Sequence, residues 1–334
     1  MPKIPPTEVK RIGIFRVLQL GDMLCAIPAI RALRAAYPEA RITLISLPWA
    51  KSFTERFNQY FDDFVHFPGY PALPEQPFDA RKTVSFLNAM QQEPFDLLLQ
   101  MQGNGTIVNP LIELFGAKHT GGYYSDYRPN EEYFYPYPNH GHEIDRHLEL
   151  MDFLGIEPQG RHLEFPITSA DEEALQALNL PIERGKYVCI HPGARATSRQ
   201  WPPEYYAALA DYAIESGYQA VLTGTKEEAP ILERLISHMK HQPINTAGQT
   251  SVGAVAVLIK NSAALVSNCT GVAHIASALQ TPSIVISLDV EPERWAPLNR
   301  ELHRLIIWAD QPDYEVALNA FKNLLVNRST ETVE

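Results

Sequence analysis

Three short segments carry residues able to do chemistry. In RVLQLGDMLCAIPAIRALRAAYP (16–38), Asp22 stands where an apolar strand pattern hands over to a helical one. A carboxylate there either caps the helix start or takes a proton from a substrate hydroxyl. In HPGARATSRQWP (191–202), Gly193, Arg195, Thr197, Ser198 and Arg199 share one loop after an apolar strand. Small residues let backbone N–H groups approach a ligand, hydroxyls donate, and guanidinium matches the geometry of phosphate oxygens. In SNCTGVAHIA (267–276), Thr270 and Gly271 open a helical pattern whose first N–H groups suit an anion. A solvated basic loop and a plainly capped helix are the alternatives for these last two segments. Two anion sites at strand ends of one half of the chain would cradle a diphosphate.

The elements that must hold these segments alternate along the chain. RIGIFRVL (11–18) reads as a buried strand. Leu20, Leu24, Ile27, Ile30 and Leu33 recur at helical spacing, and Pro28 within them removes one donor, so a bend is expected near Leu24. ARITLISL (40–47), FDDFVHF (61–67) and FDLLLQMQ (95–102) read as further strands. The aromatic and proline-rich segment 121–138 reads as a long excursion near a cleft, and 142–156 as an amphipathic helix ending at Gly155. A polar linker near 167–184 follows. Beyond it, strands at 187–193, 219–225, 263–268 and 282–288 alternate with helices at 201–217, 226–239, 251–262 and 269–280, and a terminal helix at 313–327. Such alternation predicts an α/β chain with parallel sheets covered on both faces, arranged as two Rossmann-like domains facing across a cleft. Ligands then bind outside the carboxyl ends of the strands, where 19–22, 191–201 and 267–274 lie.

Bulk properties narrow the function. The chain has 334 residues, enough for two domains, with 45% hydrophobic and 20% charged residues. Its formal net charge of −11 argues against nucleic acid as a partner and against general attraction to anionic lipid. Cys25, Cys189 and Cys269 are widely spaced, without CxxC, and read as reduced thiols of a cytoplasmic protein. The start, MPKIPPTEVK, has no apolar core, and no run is long enough to span a membrane. No GxGxxG follows the first strand, and GxxxxGK[ST], a DxD pair after a strand and HExxH are all missing. His140, His142 and His147 cluster without metal-ligand spacing and read as surface and capping histidines. Neither a metal nor a cofactor is expected.

The ordered set of landmarks resembles glycosyltransferase family nine, the bacterial heptosyltransferases. GDMLCAIPAIRALRAAYPEARITLIS, LLLQMQGNG, LFGAKHTGGY and HEIDRHLELMDFLGI are similar to its first-domain landmarks. HPGARATSRQWPPEYYAALA, LTGTKEE, AGQTSVGAVAVLI and SNCTGVAHIASALQTPSIVI are similar to its donor-binding domain. The resemblance implies a GT-B fold: an acceptor-binding domain over 1–170, a nucleotide-sugar-binding domain over 171–312, and a C-terminal helix and tail, 313–334, returning toward the first domain. It implies inverting, metal-independent transfer of a sugar, with ADP-heptose as the expected donor. The acceptor would be a saccharide or glycolipid such as the inner core of lipopolysaccharide. The enzyme would be cytoplasmic, at the inner face of the inner membrane, with at most peripheral membrane contact. Asp22 matches the family's catalytic base, and Arg199 the cation on the donor diphosphate. Gly193, Thr197 and Ser198 belong to that loop. Glu228 matches the acidic residue near the ribose, Thr270 and Gly271 the helix start that receives the phosphates, and His274 follows one turn on, where it could equally be a core histidine. Cys269 departs from the family, which has an aspartate there in contact with the donor sugar. Two alternatives stay open: a transferase of this family with another sugar or acceptor, and a sugar-nucleotide-binding protein without turnover.

Overall fold

The computed structural model describes residues 1–331, and side chains through residue 326. The chain forms two compact units, Met1–His162 and Leu163–Glu334.

In the first unit, strands β1 (Arg11–Phe15), β2 (Arg41–Ser46), β3 (Asp63–His66), β4 (Leu97–Gln100), β5 (His119–Tyr124) and β6 (Phe134–Pro136) form one sheet in the order β3-β2-β1-β4-β5-β6. Every pairing is parallel. Helices α1 (Leu20–Ala36), α2 (Ala50–Arg56), α3 (Ala80–Gln92), α4 (Val108–Glu113) and α5 (Glu143–Phe153) connect or cover it. The central strands β1, β2 and β4 are mostly apolar because both faces of the sheet are buried there. Phe15, Phe67, Phe86 and Phe115 pack edge-to-face on one side. Helix α1 continues through Pro28, which is buried inside it. The chain reverses its direction of growth between β1 and β4, so the loops after these two strands open at the switch point of the sheet.

The second unit repeats this plan. Its strands are β7 (Tyr187–His191), β8 (Gln219–Leu222), β9 (Ile244–Asn245), β10 (Ala264–Asn268), β11 (Ser283–Ser287) and β12 (His303–Ile307), ordered β12-β11-β10-β7-β8-β9 and all parallel. Its helices are α6 (Ser169–Gln176), α7 (Pro203–Glu215), α8 (Ala229–His238), α9 (Val252–Asn261), α10 (Gly271–Ala278), α11 (Pro292–Trp295) and α12 (Tyr314–Glu331). The switch point lies between β7 and β10.

Several expectations need correction. The excursion at 121–138 contains most of β5 and all of β6, the edge of the sheet. Gly121, Gly122 and the aromatic residues hide the alternation there. Glycine is required, since a β-carbon on Gly122 would stand 2.4 Å from the Gln100 carbonyl oxygen. The polar linker at 167–184 holds α6, which a Thr168–Asp171 capping box starts and which packs on α9. Accordingly the units divide at 162/163 rather than near 170. The expected terminal helix is present as α12, which packs on α7, β11 and β12, with Ala317 and Phe321 buried.

Candidate active site

Asp22 is the third residue of α1, directly after the β1 switch-point loop. The Gln19 N–H donates to its Oδ2 at 3.3 Å, so the capping expectation describes part of what it does. The rest depends on a buried ionic group beneath it. Arg16, fully buried just after β1, donates to the Asp22 carbonyl from Nε and Nη2, at 3.2 and 2.7 Å. Its Nη1 donates to the Met101 carbonyl, in the loop after β4. Its Nη2 also lies 3.4 Å from Glu143 Oε1 at the start of α5. Glu143 is in turn paired with Arg146, at 3.5 Å, and with His147 Nε2, at 3.3 Å. The His147 Nδ1 meets the Tyr123 hydroxyl at 3.0 Å. Burial pushes the Asp22 carboxyl above its ordinary value; Arg16 opposes this and Glu143 adds to it.

His147 is therefore not a surface histidine. It is buried in this network because it lies one helical turn after Glu143 on α5 and meets Tyr123 of β5. His142 does cap α5, accepting the Ile144 N–H at 3.1 Å, and His140 is exposed. Arg16 had a signal in the sequence: it is the one charge inside an otherwise apolar strand pattern.

The remaining candidates lie in the second unit. Thr197, Ser198 and Arg199 form a single exposed turn of 3₁₀ helix after β7. Both ends of their loop are pinned. Asn268, buried at the end of β10, accepts the Trp201 N–H at 3.0 Å and donates to the Pro192 and Gly193 carbonyls, at 2.8 and 3.3 Å. Trp201 itself is fully buried among Tyr205, Tyr206, Trp308 and Tyr314. Asn268 was missed although it immediately precedes Cys269, at a strand end where such residues gather.

Glu228 sits at the start of α8, and its Oε2 accepts the Thr225 N–H at 2.8 Å. It leans over Gly193 and approaches His191 Nε2 at 3.9 Å. His191 Nδ1 meets Thr223 Oγ1 at 3.0 Å. Burial pulls the His191 imidazole down from its ordinary value, against the pull of Glu228.

Arg199 forms an ion pair with Asp289, just after β11, a carboxylate that the sequence pattern did not single out. The Asp289 side chain is only 11% exposed, whereas that of Arg199 is 44% exposed. Cys269 lies beside this pair. Burial pushes its thiol up to about 11, with Arg199 and Arg300 pulling the other way, and its Sγ faces the Trp295 carbonyl at 3.7 Å. Thr270 is the N-cap of α10, but its side chain does not cap the helix. The dipole end of α10 thus stays available to a bound anion. His274 is buried within α10. The second unit therefore gathers Gly193 with Glu228, and Arg199 with Cys269, around its switch point, while Asp22 belongs to the first unit. Among the described residues, no cluster of three His, Cys, Asp or Glu side chains is placed to hold a metal.

Comparison with known proteins completes the picture. The sequence profile of glycosyltransferase family 9 (heptosyltransferase) matches residues 83–317. Lipopolysaccharide heptosyltransferase 2 of Salmonella typhimurium is 24% identical over 303 residues, covering 84% of either chain. Among solved structures, the family 9 glycosyl transferase of Veillonella parvula matches with a TM-score of 0.78 at 19% identity, over 95% of this chain and 97% of its own. The ADP-heptose lipopolysaccharide heptosyltransferase II of E. coli matches with a TM-score of 0.74 at 20% identity, over 96% and 99%. The fold is GT-B, with two doubly wound parallel sheets, each with its own switch point. The chain belongs to glycosyltransferase family 9, the heptosyltransferases, and is a glycosyl-transferring enzyme.

Proposed function

We propose that this enzyme transfers a heptose from ADP-heptose to the inner core of lipopolysaccharide, with inversion at the anomeric carbon and without a metal. The observation that carries the reading is a half-buried carboxylate, Asp22, at the switch point of the first sheet. Thr197, Ser198 and Arg199 in the loop after β7, and the start of α10 after β10, stand at the corresponding point of the second, and this reading takes them as the donor-diphosphate site. The first unit serves as the acceptor domain and the second as the donor domain, in the cytoplasm. The names of the relatives support heptose and lipopolysaccharide.

In this mechanism the acceptor hydroxyl attacks the anomeric carbon from the face opposite the diphosphate. Asp22 takes the hydroxyl proton as the new C–O bond forms, and the C–O bond to the diphosphate breaks. A carboxylate raised above its ordinary pKa is a better base than a free one. Negative charge grows on the leaving diphosphate, where Arg199, the Thr197 and Ser198 hydroxyls and the start of α10 at Thr270 and Gly271 stabilise it. Glu228 accepts hydroxyls of the ribose, and Gly193 leaves room for it. Cys269 and His274 line the donor side.

Asp22→Asn tests the reading. With ADP-heptose and an inner-core acceptor, turnover should fall by roughly two to four powers of ten while ADP affinity by calorimetry stays unchanged. Wild-type rates would remove Asp22 as the base. Cys269 favours a second reading, a family member acting on a different donor sugar, because a thiol offers sugar hydroxyls almost no acceptor. A panel of ADP- and UDP-sugars separates the two.

A further inference from the structure

Resting on the assignment of Asp22 as the base, we propose that Arg16, Glu143 and His147 are its positioning residues. In this proposal Arg16 fixes the turn that carries the carboxylate. Glu143, held from behind by His147, balances the guanidinium charge so that Asp22 remains basic enough to accept a proton.

The geometry supports each part. One guanidinium ties the carbonyl of Asp22 to that of Met101, joining the two loops on either side of the switch point. The Val17 N–H donates to Gln102 Oε1 at 2.6 Å, a second tie between the same loops. The helix turn bearing Asp22 is thus referenced to both central strands and not to its own helix alone. A buried guanidinium this close would by itself draw Asp22 toward a weak, fully ionised carboxylate. Glu143 opposes that from α5, with its own oxygens paired to Arg16, Arg146 and His147. The charged and titratable groups on this side include Arg16 after β1, Glu143, Arg146, His147 and Glu149 on α5, Tyr123 on β5, and Tyr137 after β6. Tyr137 receives a bond from Arg146 Nη1 at 3.0 Å. Burial holds the Tyr123 phenol well above its ordinary value, so it stays neutral and bonds to the Arg146 carbonyl at 2.8 Å. Glu143 is therefore the carboxylate on α5 whose charge reaches Asp22.

The test is a carbon-detected NMR titration of the Asp22 carboxyl in the full chain, assigned by its loss in Asp22→Asn. In the wild type it should titrate above the ordinary value of about 3.9. In Glu143→Gln, which keeps shape and removes charge, it should move down by on the order of one unit. The acid limb of kcat should move down with it, and the plateau should fall roughly two- to five-fold, since a weaker base is slower. Arg16→Lys keeps the charge but cannot hold both carbonyls; kcat should fall with KM nearly constant. A wild-type Asp22 that titrates at or below the ordinary value overturns the proposal, and needs no variant to fold. So does a folded Glu143→Gln with an unmoved Asp22 titration and acid limb. In that event an inactive Asp22→Asn would still uphold the base. An active Asp22→Asn would instead remove the base and this proposal's foundation together.

Discussion

Gly193 lies so close beneath Glu228 that a β-carbon on it would stand 2.1 Å from Oε1. Backbone and carboxylate occupy one contact, at the point where the β7 loop meets the start of α8. Gly193 does not adopt a left-handed φ, so it is the Glu228 side chain, and not backbone conformation, that opposes a larger residue here.

Gly193→Ala should therefore displace the Glu228 carboxylate. Overpacking of this kind costs about 1–3 kcal/mol. On the proposed role of Glu228 at the donor ribose, ADP affinity should fall by about ten-fold or more, because the carboxylate is displaced. The cycle with Glu228→Ala isolates the clash. In the Glu228→Ala background, the added methyl should lower Tm far less, and an equal loss in both backgrounds would contradict the account.

Arg199 and Asp289 should behave as opposites. Arg199→Ala should weaken ADP binding by roughly ten- to a hundred-fold and slow the chemical step as well, since charge develops on the leaving phosphate. Asp289→Asn should release the guanidinium and tighten ADP binding by several-fold, because the diphosphate no longer competes with a carboxylate. Calorimetry of the two variants decides. Equal affinities across wild type and both variants would detach this pair from the donor.

Cys269→Asp should change the ranking of donor sugars more than ADP affinity. A site that accepts bonds from hydroxyls discriminates far more strongly than one lined by a neutral thiol. The new carboxylate would have Arg199 and Arg300 near it, in its favour, and the Trp295 carbonyl against it. Burial without full pairing would lower stability, so a melting curve accompanies the kinetics. An unchanged order of kcat/KM over ADP- and UDP-sugars, in a folded variant, would show that position 269 does not set the choice of sugar.

Transfer should continue in EDTA. In the proposed mechanism Arg199 and the uncapped start of α10 supply positive potential where the diphosphate leaves, the task a divalent cation performs elsewhere. Loss of turnover on chelation, restored by magnesium or manganese, would require a different account of the leaving group.

The sequence by itself determined the parts that depend on neighbours in the chain. Apolar runs separated by helical spacing place β1, β7 and β10, and the residues just after them are the loops that any doubly wound sheet offers to a ligand. The position of Asp22, Arg199, Thr270 and Gly271 just beyond strand ends was legible for that reason. The polar segment 167–184 and the aromatic one at 121–138 were not, because α6 is specified by its cap and by packing on α9, and β6 by its place at the edge of a sheet. Only the tertiary structure decided which charges meet. Arg16 reaches Glu143 across the sheet switch point, Asn268 reaches back to Pro192 and Trp201, and Asp289 takes the guanidinium of Arg199. Each of these pairs joins residues far apart in the chain, and periodicity contains no term for such a distance. His147 shows the same limit in one residue: at the sequence level it is one of three nearby histidines, and burial beside Glu143 alone makes it part of the network beneath Asp22.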